Sequence, residues 1–206
     1  MLLGILLACA PTYRMPGPLT DLGRDIPVES RAPTQGGTAI AKAATGFLGV
    51  AKLEVRGVAY RGDCSGLVEA SLARAGWSYA GSSADLWQTA QERGIAHRRK
   101  RPAPGDIAFF DNTYDRNGNG RLDDELSHTA IVETVAPDGT ITMVHYASNG
   151  IVRLRMNLDR PHDDSVNDQL RAASRKDPGA TKYLAGELWV GFASFYRSPV
   201  QVADGS

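Results

Sequence analysis

An α+β fold, with N-terminal helices packed on one antiparallel sheet, is predicted by three features of the chain. Apolar residues recur at helical spacing up to about residue 94. From Pro104 the apolar period changes to two, and Pro137-Asp138-Gly139 and Ser148-Asn149-Gly150 mark tight turns between the alternating segments. Helices followed by a meander, rather than alternating with strands, give an α+β domain with the helices packed on one sheet.

The elements follow in order. Ile40, Ala44, Phe47 and Leu48 lie on one face of a first helix, which Gly49 closes. A second helix starts at or just before Cys64, buries Leu67, Val68, Leu72 and Ala75, and stops at Gly76. Ser82 or Ser83 caps a third, whose inner face is Leu86, Trp87 and Ala90 and which ends at Gly94. Strands are predicted over 104–110, 128–135, 140–147, 151–158 and 188–197, with a short helix near Asn167 to Arg175.

Composition narrows the function. The 206 residues suffice for one domain with a substantial core, and 42% hydrophobic with 22% charged residues is ordinary for a globular protein. Twenty-three basic residues balance 23 acidic ones, so no global field draws the chain to nucleic acid or an anionic membrane. The basic run His97 to Arg101 reads as a solvated loop, the alternative being contact with an anionic wall polymer. No aromatic or motif pattern supports nucleic-acid binding.

The first ten residues are apolar and too short to span a bilayer. Leu6-Leu7-Ala8-Cys9 has the form of a bacterial lipoprotein signal, implying removal of 1–8 and lipidation of Cys9. The rival reading is an ordinary leader with an incidental cysteine, since no Lys or Arg precedes the apolar run. Ala10, not Asp, follows Cys9, which favours an outer-membrane anchor facing the periplasm. The proline- and glycine-rich stretch 9–36 reads as anchor and tether, 37–200 as the folded domain and 201–206 as a tail.

With Cys9 set aside, Cys64 is the one cysteine of the body and has no intrachain partner for a disulfide. At a helix start the macrodipole and free N–H groups favour its thiolate, and a nearby imidazolium favours it further. His128 opens one predicted strand and His145 lies near the end of the next. They stand about equally far from the Pro137–Gly139 turn, so antiparallel pairing brings them together, one imidazole orienting the other. His97 and His162 lie in polar loop sequence and read as incidental.

The blocks YRGDCSGLVEASLARAG, PGDIAFF and SHTAIVE, with the strand carrying His145, resemble NlpC-type and CHAP-type peptidoglycan hydrolases over about residues 38 to 158. Both are papain-like thiol hydrolases of bacterial walls. DCSG resembles the NlpC branch, and the longer hairpin between the histidines looks more like the CHAP branch. The resemblance implies Cys64 as nucleophile, His128 as general base then acid, and His145 as orienting residue. It further implies Asp63 and Ser65, with Tyr60, at the site of the stem peptide's free amine, and the Cys64 N–H in an oxyanion hole. The implied partner is the peptidoglycan peptide stem, met by a monomer. An amidase or transferase on another substrate, or a non-catalytic wall-binding lipoprotein, are the alternatives.

One insertion stands apart. Asp115, Asn117 and Asn119 with Gly120 fit the start of an oxygen-ligand calcium loop, with the Arg121 carbonyl and Asp123 or Asp124 closing the shell. Position twelve is Leu126, with Glu125 one place early, so the loop is not a regular EF-hand. A polar Asn/Gly turn needing no metal is the alternative. The chemistry itself requires no cofactor; calcium would be structural, stiffening the loop that delivers His128.

Overall fold

The computed structural model describes residues 32–197, so the readings on 1–8, Cys9, most of the tether and the tail lie outside the described residues. Helix α1 (Gln35–Thr45) begins two residues before the expected domain start, because the Thr34 side chain accepts the Gly37 N–H as its N-cap. A two-stranded hairpin follows, β1 (Glu54–Val55) and β2 (Val58–Ala59), turned by Arg56 and Gly57, both at positive φ. At two residues per strand it is too short to show a period in the sequence.

Helix α2 (Cys64–Arg74) buries Leu67, Val68 and Leu72, and Gly76 at φ 95° lies just past its end. Helix α3 (Ser83–Glu92) carries a full capping box: the Ser82 side chain takes the Asp85 N–H, and the Asp85 carboxylate takes the Ser82 N–H. Leu86, Trp87 and Ala90 face inward as expected.

The sheet has six antiparallel strands in the order β3-β8-β4-β5-β6-β7. β4 (Ile107–Phe110), β5 (His128–Val135), β6 (Thr140–Ala147) and β7 (Gly150–Asn157) form the expected meander. β8 (Trp189–Ala193) inserts beside β4 and pairs on its other side with β3 (Ala96–His97). His97 is therefore an edge-strand residue rather than part of a loop. Its Nε2 lies 3.2 Å from the buried Asp106, which also accepts from the Ala103 N–H, Ser194 Oγ and Tyr196 Oη. This carboxylate of the Pro-Gly-Asp turn ties β3, β4 and β8 together, and the sequence gives no sign of the link.

Two cores line the sheet. Ile40, Leu67, Val68, Leu86 and Trp87 of α1 to α3 pack with Ile107, Phe109, Ile131 and Val144. On the opposite face Ala108, Phe110, Ala130, Met143 and Phe192 pack with Ala185 and Leu188 of a short helix, α4 (Ala185–Leu188). The N-terminal helices α1 to α3 thus pack on the antiparallel sheet as expected, and the short α4 covers its other face.

The helix expected near 167–175 does not form. Its backbone and side chains are spent on tertiary partners instead: the Leu170 and Arg171 N–H groups both meet the Tyr183 carbonyl. Asn167, buried, bonds Arg160, Asp163 and the Asn157 N–H. Asp168 binds the Arg155 guanidinium and N–H, and so covers one end of edge strand β7. Among the described residues no helix is long and apolar enough to cross a membrane.

Candidate active site

The candidate residues come from three elements, α2, β5 and β6, and His128 stands in register with Phe110, whose ring belongs to the core under α4. Asp63, in extended conformation, ends the turn before α2, and its Oδ1 takes the Gly66 N–H at 2.7 Å. The Leu67 N–H meets the Asp63 carbonyl, so the cap uses the third and fourth N–H groups and leaves those of Cys64 and Ser65 out of it. Gly66 is required here: a Cβ would come within 2.0 Å of the Arg61 carbonyl oxygen. Cys64, a free thiol, is half-buried.

His128 and His145 come from neighbouring strands. Ile131 pairs with Val144 across β5 and β6, which makes the two histidines diagonal neighbours three residues up one strand and one along the other. His128 Nε2 and His145 Nδ1 are 3.0 Å apart, with rings edge to face. Both side chains are buried, and the Phe110 ring lies 6.3 Å from that of His128. The expected pairing of the imidazoles is thus present in the structure.

Burial, with His145 as a second cause, pushes the His128 pKa down to about 3. Burial likewise lowers His145 to about 4, against a small opposing pull from Asp168. Both rings are neutral near pH 7, so no imidazolium stands ready to favour a thiolate. Of the two sources expected from the sequence, the helix N-terminus remains. In a neutral pair one ring donates to the other. For His128 to accept a proton on Nδ1, its Nε2–H must donate to His145 Nδ1, which places the His145 proton on Nε2.

α2 packs against β5 and β6, and a Cβ at Gly62 would lie 3.2 Å from the Tyr146 hydroxyl, so the turn into Cys64 touches the residue after His145. No hydrogen bond joins Cys64 to either imidazole. The other expected residues take varied positions. Asp63 is half exposed with its second oxygen 3.9 Å from Arg61 Nε; Ser65 is buried; Tyr60 packs half-buried on the helix-side core. His162 is exposed and bonds Glu187.

The Asn/Asp loop folds on itself. Both Asp115 oxygens accept backbone N–H groups, from Asn119 and Gly120, while the Asn117 and Asn119 side-chain oxygens accept from Asn119 and Arg121. Asn119 Nδ2 donates to both oxygens of Asp123. Asp124 is buried, with Oδ2 lacking any partner and Arg116 Nε 3.8 Å from Oδ1. No group of three or more His, Cys, Asp or Glu suited to a metal occurs among the described residues.

Sequence reasoning missed the residues behind the site. Arg61 Nη2 bonds Glu69 Oε1 at 2.7 Å and the Gly81 carbonyl at 2.8 Å, and Glu69 Oε1 also takes the Gly81 N–H. The buried Ser83 hydroxyl donates to the Leu126 carbonyl. Leu126 is held from its other side by Asp111 Oδ1, which takes its N–H at 2.7 Å. Only the doubled serine at the start of α3 hinted at this, since one of the two is not needed as a cap.

No curated protein matches the chain. A solved structure from Staphylococcus aureus, described as similar to lipoprotein and of the NLP/P60 family, aligns with a TM-score of 0.41 and 18% identity. That alignment covers 80% of this chain but 44% of the other, so this chain spans less than half of that structure's length. Residues 54–147, the stretch that carries Cys64, His128 and His145, match the family model of the CHAP domain.

Proposed function

We propose that the chain is a cell-wall thiol hydrolase that cleaves an amide of the peptidoglycan stem through an acyl-enzyme. The observation that carries this reading is the buried His128–His145 hydrogen bond, in the CHAP-matched stretch that also holds a free thiol at a capped helix N-terminus. The Cys64 thiol gives its proton to His128 Nδ1 as sulfur attacks the carbonyl carbon. The N–H groups left out of the cap stabilise the oxyanion. Collapse breaks the C–N bond, and His128 returns the proton to the leaving amine. Water, deprotonated by His128, then cleaves the thioester to carboxylic acid and thiol. His145 holds the His128 tautomer that this sequence needs.

Asp63 and Ser65 are proposed to receive the stem amine, with Tyr60 alongside. Asp63 is the accessible member of the three, and Ser65 contributes from a buried position. Cys64→Ser should abolish lysis of purified sacculi while leaving the circular dichroism spectrum unchanged. Retained lysis would overturn the mechanism. Mass analysis of the fragments assigns the bond, because an endopeptidase and an amidase leave different new termini. Anchoring through a lipidated Cys9 is proposed on the Leu-Leu-Ala-Cys signal, and Cys9→Ala should lose incorporation of a labelled lipid precursor.

A further inference from the structure

The turn that opens α3 lies between the two halves of the site and is bonded to both. On one side, Gly81 is bound through its carbonyl to Arg61 and through its N–H to Glu69. Arg61 is three residues before Cys64, and Glu69 is on α2, one turn and a half beyond it. The Arg61 carbonyl also packs against the Gly66 backbone, so the lead-in to Cys64 is clamped from its side chain and its main chain together. On the other side, Ser83 donates to the Leu126 carbonyl, 43 residues away in sequence.

Leu126 is two residues before His128 and adopts φ 48°, a left-handed conformation that a branched residue avoids unless its surroundings impose it. Its N–H is bound to Asp111 and its carbonyl to Ser83, so both backbone polar groups are fixed just before the base. Ser127 continues the brace, with Oγ 2.8 Å from Thr113 Oγ1 and accepting the Thr113 N–H at 2.9 Å. The Ser82–Asp85 capping box makes the bridging turn itself rigid.

We infer that Ser83 is a positioning residue for catalysis: through Leu126 it fixes where His128 stands, while Gly81, in the same turn, fixes the lead-in to Cys64. This rests on the thiol-hydrolase reading above. Neither Ser83 nor Glu69 touches the reacting atoms. Their effect is to make the first turn of α3 a spacer between nucleophile and base, beside the direct packing of α2 on β5 and β6.

The test uses the full chain and compares wild type, Ser83→Ala, Ser83→Thr and Cys64→Ala. Two readouts are taken well below the melting temperature: kcat and KM on defined muropeptides, and the pH profile of Cys64 alkylation by iodoacetamide. Ser83→Ala is expected to lower kcat about 10- to 100-fold, the range a displacement on the order of 1 Å produces, with KM within about twofold of wild type. The alkylation profile should shift as the Gly81 turn loosens its hold on the lead-in to Cys64, and with it the α2 N–H groups that favour the thiolate, and Ser83→Thr, which restores a hydroxyl, should recover a large part of both. A Ser83→Ala protein that melts earlier yet keeps the wild-type kcat and alkylation profile would overturn the inference, since a merely structural bond behaves that way. Wild-type protein without Cys64-dependent hydrolysis removes the hydrolase reading alone. In that case a shifted alkylation profile in Ser83→Ala still supports the positioning role, and an unchanged one refutes it.

Discussion

Two buried imidazoles sharing one hydrogen bond set the pH behaviour of this site. In the unfolded chain His128 and His145 titrate near the ordinary histidine value of 6.5, whereas in the fold they stay neutral down to about 3 and about 4. As pH falls below about 6.5 the unfolded state takes up protons that the folded state refuses, so stability is full above that pH and declines towards pH 4 and then 3. Equilibrium denaturation should show this acid slope, and His128→Gln should flatten it. The same burial predicts that the acid limb of kcat/KM for the wild type lies below pH 5. A limb near 6.5 would mean that His128 is solvated in the working enzyme. On the roles proposed above, His128→Ala should cost about 10²–10⁴-fold in kcat, and His145→Ala less, because His145 is proposed to orient rather than transfer.

At the scale of elements, α2 brings Cys64 to the site through a cap and a glycine. Asp63 fills the third N–H and Gly66 lets the Arg61 carbonyl lie against the first turn. Replacing Gly66 with Ala forces a carbonyl 2.0 Å from the new Cβ to move, and overpacking of this kind costs about 1–3 kcal/mol. Gly66→Ala should therefore lower the melting temperature and slow Cys64 alkylation together, both read on one preparation. A variant that melts lower but alkylates at the wild-type rate would show that the lead-in is not what aims the thiol. The hairpin of β5 and β6 plays the matching part for the histidines. Its pairing, with a register shift between Val132 and Thr134, determines which residues become neighbours.

Across the whole molecule, the segment from Phe110 to Ser127 connects His128 to the rest of the domain. It is tied to α3 through Ser83, and to the 159–184 segment through Arg171, whose Nη1 donates to the Asn112 carbonyl while its Nη2 donates to Asp177. Calcium is proposed to bind within this segment, supported by the oxygen side chains of Asp115, Asn117, Asn119 and Asp123 and by the unpartnered buried oxygen of Asp124. The ion would have to displace the Asn119–Asp123 hydrogen bonds to draw those oxygens inward, with the Arg121 carbonyl joining them. Millimolar CaCl2 should then raise the melting temperature and EDTA reverse it, and Asp115→Ala should abolish the shift. A melting curve indifferent to both reagents would leave the loop as a hydrogen-bonded turn.

The sequence by itself determined the α+β class, the three main helices and the β4 to β7 meander, because each rests on a local signal: an apolar period, a cap or a turn residue. It also placed both histidines on the two arms of one antiparallel hairpin about the Pro137–Gly139 turn, where pairing makes them diagonal neighbours. Tertiary structure alone decided the insertion of β8 between β3 and β4, the second core beneath α4, and the failure of 167–175 to become a helix. Strand order and long-range backbone bonds leave no periodicity in the chain. It alone also decided that the imidazoles are neutral, because the charge state depends on burial by residues far apart in sequence. The brace from Arg61 through Gly81 and Ser83 to Leu126 belongs to the same class. It joins three segments whose residues look unremarkable until folding places them together.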